Sequence, residues 1–251
     1  MTTTAPSRSR DQSTTFAGMD AIEIKVTVRP DQELRAERTA ELDEDSAEIR
    51  VIYYYDTPGL DLFKSGLALR ARLVKGDDDD STVKFRPVDG TKVPPEWREL
   101  EGFKVEGDWV GDGAIGSASL THPQQRDEID EVAKGTRPIE KLFSKDQERF
   151  LKAFYKEPFD FGQLRVMGPI RVLRWKLRHK SFRHDLTVEE WRLPDGDDLV
   201  ELSIKVAPEE AAAAREAFNA NLEELGLDPK GAQQTKTRTA LEYFAKALKA
   251  K

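Results

Sequence analysis

The sequence predicts an α+β fold in which an eight-stranded antiparallel β-barrel, forming a tunnel, is flanked by helices. Three observations lead there. Short segments alternate apolar and polar residues with period two, as strands with two unlike faces do. On the polar face, cations recur in register as Arg70-x-Arg72, Lys84-x-Arg86 and Arg174-x-Lys176-x-Arg178, and acids recur as Glu99-x-Glu101. A solvated sheet face ordinarily mixes Thr, Ser, Gln and scattered charge. Repeated like-charged pairs therefore favour an enclosed interior, and a barrel of about eight strands has a lumen wide enough for one small ligand. Such a lumen is tolerable only if cations, carboxylates and water or ligand balance one another, with the aliphatic partners turned outward beneath helices.

The first strand is Ala21 to Val28, where Ile22, Ile24, Val26 and Val28 alternate with Glu23, Lys25 and Thr27. The run Tyr53-Tyr54-Tyr55 is strand-forming, with Asp56-Thr57-Pro58-Gly59 as its turn. Leu67 to Val74 and Thr82 to Arg86 form a hairpin around Gly76 to Asp80, which brings Arg70, Arg72, Lys84 and Arg86 onto one surface. Trp97 to Glu106 reads as a strand with a bulge at Gly102, so that Glu99, Glu101, Lys104 and Glu106 share the polar side. Gly107 to Gly135 is left without assignment as an ordered element. A helical insert occupies about 121–156, where Ser144 and Gln147 make a capping box and Phe143, Phe150, Leu151 and Phe154 recur at helical spacing. Strands resume at Val172 to Arg178, Arg183 to Trp191 and Leu199 to Val206. A helix opened by Pro208 and a last helix, Thr235 to Ala250 with an apolar stripe at Leu241, Phe244, Ala245 and Leu248, close the chain.

Composition narrows the function classes. Of the 251 residues 35% are charged and 38% hydrophobic, and the net charge of −7 argues against general adhesion to nucleic acid or acidic membranes. Any basic function must be local. The absence of cysteine excludes disulfides, thiolate metal sites and a cysteine nucleophile, and fits a cytoplasmic protein. No apolar run approaches the ~20 residues of a membrane helix, and no signal-peptide core is seen. Residues 1–18 read as a disordered polar tail and 19–251 as a single domain. His122, His179 and His184 show no metal-ligand spacing and read as surface residues; Trp175 reads as packing beneath a helix.

Glu23-Ile24-Lys25, Tyr54-Tyr55-Asp56-Thr57-Pro58, Leu62 to Arg72 (LFKSGLALRAR), Lys84 within STVKFRP and Glu201 within LVELSIK together resemble the CYTH superfamily, the triphosphate tunnel metalloenzymes. The resemblance spans roughly Ala21 to Val206, and the YYDTP and GLALRAR segments are its specific part. It implies a tunnel in which basic residues bind a triphosphate chain and glutamates hold Mg²⁺ or Mn²⁺. The chain departs from the pattern at two places: the family's opening ExExK has Ala21 at its first acid position, and Glu201-x-Ser203 stands where relatives often carry ExE.

On this reading Lys25, Arg70, Arg72, Lys84, Arg86, Arg174, Lys176, Arg178 and Lys205 bind substrate phosphates, guanidinium forks offering paired donors. Glu23 and Glu201 hold the metal, with Glu99 and Glu101 assisting or merely neutralising cations, and Glu189 or Glu190 as a further possibility. Glu23 and Lys25 are placed at the reacting centre, where a lumen Glu or Lys orients the attacking water. The expected function is metal-dependent hydrolysis of a triphosphate, inorganic triphosphate preferred, since no base-recognition motif is evident. Two alternatives stand: a non-catalytic polyphosphate- or nucleotide-binding module, and a class IV adenylyl cyclase.

Overall fold

The computed structural model describes residues 16–28, 32, 42–110, 113–158, 160–178, 182–194, 198–230 and 235–249. Its nine strands are β1 (Ala21–Thr27), β2 (Glu48–Asp56), β3 (Leu67–Val74), β4 (Asp79–Phe85), β5 (Phe103–Val110), β6 (Gly113–Gln124), β7 (Arg165–Leu177), β8 (Leu186–Arg192) and β9 (Leu199–Val206). They close into a barrel in the order β1-β5-β6-β4-β3-β2-β7-β8-β9. A ring with an odd number of strands cannot alternate direction all the way round. The β1–β5 pair is accordingly parallel and the others antiparallel. The additional strand, relative to the eight expected, is β6, which lies in the unassigned Gly107 to Gly135 stretch.

Strand parity is as the alternation predicts. Ile22, Ile24 and Val26 of β1, Trp175 of β7 and Leu202, Ile204 and Val206 of β9 pack outward beneath helix α5 (Ala211–Glu224), through Ala214, Phe218 and Leu222. On the opposite side Leu67, Leu69 and Ala71 of β3 and Val83 and Phe85 of β4 lie beneath α3 (Arg126–Ala133) and α4 (Lys145–Phe154). Ser144 caps α4 in the expected box with Gln147. The Gln147 amide, fully buried, also donates to the carbonyls of Ser81 and Leu120 at 3.0 Å each, which fastens α4 to the barrel wall.

Helix α6 (Lys236–Lys249) differs. Its Ala240, Leu241, Phe244 and Ala245 pack against Ile52 and Tyr54 of β2, Ile170 and Val172 of β7 and Trp191 of β8. These strand residues share parity with Arg50, Arg174 and Glu189, so the closing helix seats on the inner face of the barrel, not on its outer face. The short helix α1 (Asp61–Lys64) is held by buried Asp56, whose carboxylate accepts from the amides of Thr57, Leu62 and Phe63 at 2.7, 3.0 and 2.9 Å. That accounts for the acid in the YYDTP segment: it folds the chain back into β3.

Three local expectations are corrected. Trp97 to Glu106 is not one strand: Pro95 opens a short helix α2 (Pro95–Arg98), Gly102 turns the chain at φ +79, and β5 begins only at Phe103. Asp80 belongs to β4 and not to the turn. Phe16, expected in the tail, is buried, its ring 5.1 Å from that of Trp109. Residues 1–15 and His179 lie outside the described residues. No helix among the described residues is long and apolar enough to cross a membrane.

Candidate active site

The inward face of the barrel carries three linked charge clusters. In the first, Asp108 of β5, with a side chain only 2% exposed, faces Lys25 of β1 at 2.5 Å, Lys84 of β4 at 3.3 Å and Arg86 just beyond β4. Lys25 also reaches Glu23 at 2.6 Å. In the second, Asp80 receives Arg72 at 2.5 Å and Arg70 at 3.9 Å, and Thr82 accepts from Arg70 at 3.1 Å. In the third, Glu189 of β8 faces Arg50 at 3.8 Å, Arg174 at 3.6 Å and Lys236 of α6, while Lys236 reaches Glu201 of β9 at 2.7 Å. Asp108, Asp80 and Glu189 are thus each shared by two or three cations. Glu48 also pairs with Arg50 and Arg174, yet among the described residues the cations of these clusters still outnumber their carboxylates, the electrostatic condition for holding a polyanion.

The positions follow from register. Glu23 pairs with Asp108 across β1–β5, Lys25 with Ser203 and Thr27 with Glu201 across β1–β9, and Glu189 with Glu201 across β8–β9. Ala21, the departure in the opening motif, pairs with Glu106 of β5. Gly66 explains the glycine of LFKSGLALRAR: at φ +82 a side chain would collide with the carbonyl of Arg86, so this glycine lets Arg86 be drawn against β3.

Proton affinities reflect burial against neighbouring charge. Burial alone would raise the Glu23 carboxyl, but Lys25 and Lys236 overcome it and hold it well below the usual carboxylate range. Glu189 is likewise brought down to about 2, chiefly by Lys236 acting against burial. Lys25 and Lys236 are raised, the carboxylates around them outweighing burial. Lys84 moves the other way, lowered to about 7 by burial and by the neighbouring Lys25 and Arg86.

Of the residues singled out from sequence, Glu23, Lys25, Arg70, Arg72, Lys84, Arg86, Arg174 and Glu201 come together in the lumen. Lys205 pairs with Glu106 at 2.5 Å, its side chain half exposed, and Lys176 is exposed. Two expectations fail on position. Glu99 and Glu101 are exposed in the α2–β5 connection, because the strand that would carry them inward starts later. Arg178, 83% exposed, lies past the end of β7 and pairs with Asp185 outside the lumen. Arg50, Asp80, Asp108 and Lys236 were missed. Arg50 has the right parity, but Ile52 and Tyr54 interrupt the charged pattern after it. Asp80 and Asp108 sit among turn-like Asp and Gly residues, and Lys236 lies on a helix, where no strand pattern can reveal it. His122 is exposed and His184 partly so. A surface groove of about 660 Å³ beside Phe143, Leu151, Tyr155 and Phe161 lies outside the barrel, remote from these clusters.

Among the described residues no three Asp, Glu or His side chains form a ready metal site. A cation position is nevertheless marked: Glu189 and Glu201 converge on the Lys236 ammonium, a stand-in for a bound ion. Mg²⁺ is commonly held by one or two carboxylates together with substrate phosphates, so this donor set fits such an ion.

A closed strand tunnel with a cation-rich lumen defines a polyanion-binding barrel. The CYTH domain model matches residues 19–235, and the chain belongs to the CYTH family. A candidate adenylate cyclase from Bacillus halodurans superposes with a TM-score of 0.59 at 16% identity, covering 88% of this chain and 98% of its own. A candidate adenylyl cyclase from Hippeastrum, described as revealing a dominant triphosphatase activity, gives 0.60 at 18% identity, covering 88% and 95%. No curated protein sequence matches the chain.

Proposed function

We propose that this protein is a metal-dependent hydrolase of triphosphates, with inorganic triphosphate the preferred substrate. The observation that carries the reading is the convergence of Lys25, Lys84 and Arg86, from two strands, on the single buried carboxylate Asp108. Cations so arranged around one anion are arranged for a phosphate. The cyclase and triphosphatase descriptions of the two neighbours are in keeping with a triphosphate ligand. Inorganic triphosphate is favoured over a nucleotide because the sequence offers no base-recognition motif.

In this reading Arg70, Arg72, Lys84 and Arg86 hold the phosphate oxygens, and the Arg forks fix their orientation. Glu189 and Glu201 would hold the divalent ion together with substrate phosphate oxygens, with Glu23 acting on the same position from β1; when bound, the ion would polarise phosphate oxygens as a Lewis acid. Water adds to the terminal phosphorus as the bridging P–O bond breaks and its electron pair leaves on diphosphate, a water proton passing to a phosphate oxygen and the cations stabilising the spreading charge. Glu23, kept ionised by Lys25 and Lys236, is a weak base. Its role is to orient the water through a hydrogen bond, with Lys25 fixing its carboxylate.

The test is phosphate release from inorganic triphosphate during Mg²⁺ and Mn²⁺ titration, with Glu23→Ala and Arg70→Ala. The reading expects a metal-dependent rate that both substitutions reduce by about a hundredfold or more. A rate that neither changes removes it, and triphosphate binding without turnover leaves a binding module. Formation of cyclic AMP from ATP would point to a cyclase instead.

A further inference from the structure

Glu189 and Glu201 stand directly opposite each other on neighbouring strands, and Glu201 is 4% exposed. Two carboxylates so placed repel unless a cation lies between them. That cation comes from the far end of the chain. Lys236, the first residue of α6, reaches both carboxylates, and its ammonium lies 5.0 Å from the centroid of the Trp191 ring. Glu23 acts on it from β1, and Lys25 opposes it from the same strand. The neighbouring Thr237 hydroxyl is 3.4 Å from that of Tyr54, a weak contact, whereas the rest of α6 is anchored by Leu241, Phe244 and Ala245.

We propose that Lys236 sets the cation requirement of the tunnel: its ammonium is the resident counter-ion of the Glu189–Glu201 pair, and a divalent ion enters only as Lys236 and the first turn of α6 withdraw. The physical reason is exclusion. A dication between these carboxylates would share an oxygen-lined space a few ångströms across with an ammonium ion, and a low-dielectric lumen screens their repulsion poorly. Beyond Lys236 itself, the first turn is held by the weak Thr237–Tyr54 contact and by the Arg238 guanidinium 5.7 Å from the centroid of the Phe63 ring, so it can leave while the apolar stripe stays seated. Metal loading is thereby coupled to unveiling the Trp191 and Tyr54 faces of the lumen. The inference rests on the reading that Glu201 holds the ion, yet it can be tested without any hydrolysis.

Calorimetric titration with Mn²⁺ alone, on the full chain, compares wild type with Lys236→Met. The expected result is binding about tenfold tighter in the variant; binding no tighter than wild type overturns the proposal. Because Lys236→Met also leaves two carboxylates facing each other and can weaken the fold, a second measurement uses the wild type only. Mn²⁺ saturation should speed amide hydrogen exchange in residues 236–239, and unchanged or slower exchange there overturns the proposal. Both expected results together with no triphosphate hydrolysis by the wild type would support the inference and remove the hydrolase reading, so the two fail separately.

Discussion

Lys84 offers the sharpest handle on the lumen. Burial, Lys25 and Arg86 lower its ammonium to about 7, whereas in an unfolded chain it titrates near 10.5. Between those values the unfolded chain binds the extra proton, so Lys84 makes the ligand-free protein gain stability as pH rises through that window. A triphosphate reverses the preference, because its charge favours the protonated amine. With Lys84 about half protonated at pH 7, about a tenth at pH 8 and about a hundredth at pH 9, the apparent affinity contributed by this group falls about fiftyfold from pH 7 to pH 9. Binding at pH 8 should draw in about 0.9 proton. Calorimetry in two buffers of different ionisation enthalpy measures that uptake. Lys84→Met keeps Asp108 paired with Lys25 and Arg86 and supplies the background from triphosphate's own titration. Equal uptake by wild type and Lys84→Met at pH 8 would refute the reasoning.

Three further outcomes are expected. Gln147→Leu leaves the carbonyls of Ser81 and Leu120 buried without the amide that now serves them, and should cost about 3 kcal/mol, or about 10 °C in Tm by thermal unfolding. Gly66→Ala drives a methyl group toward the Arg86 carbonyl, and should weaken triphosphate binding about tenfold by displacing Arg86, measured by calorimetry beside an unchanged far-ultraviolet circular dichroism spectrum. Ala21→Glu puts a carboxylate beside Glu106 and on the parity of Glu23. It should tighten Mn²⁺ binding about tenfold and cost about 1 kcal/mol in stability, as like charges meet across β1 and β5.

The barrel and most of its cationic lining were legible because both rest on period-two alternation, which a tunnel wall enforces along each strand. Arg70, Arg72, Lys84 and Arg86 are therefore found from sequence together with the neighbours that turn outward. What escaped depends on interactions between distant segments. Asp108 is told from a turn aspartate only by β5 pairing in parallel with β1, and Glu189 is told from Glu190 only by its partner Glu201. Glu99 and Glu101 carry the alternation but lose it to the proline-started turn before β5. The inward seat of α6 had a faint signal in Ile52, Ile170 and Trp191, apolar residues on the charged face, yet the stripe on the helix is the same whether it packs outside the barrel or within it.

The claim on which the rest depends is that a triphosphate lies in the lumen against the inner face of β3 and β4. A crystal structure of the protein soaked with inorganic triphosphate addresses it directly. The account predicts phosphate density within hydrogen-bond reach of Arg70, Lys84 and Arg86, with the Asp108 carboxylate turned from at least one of its present cations. Density confined to the outer surface, with those four side chains paired as they are now, would contradict it.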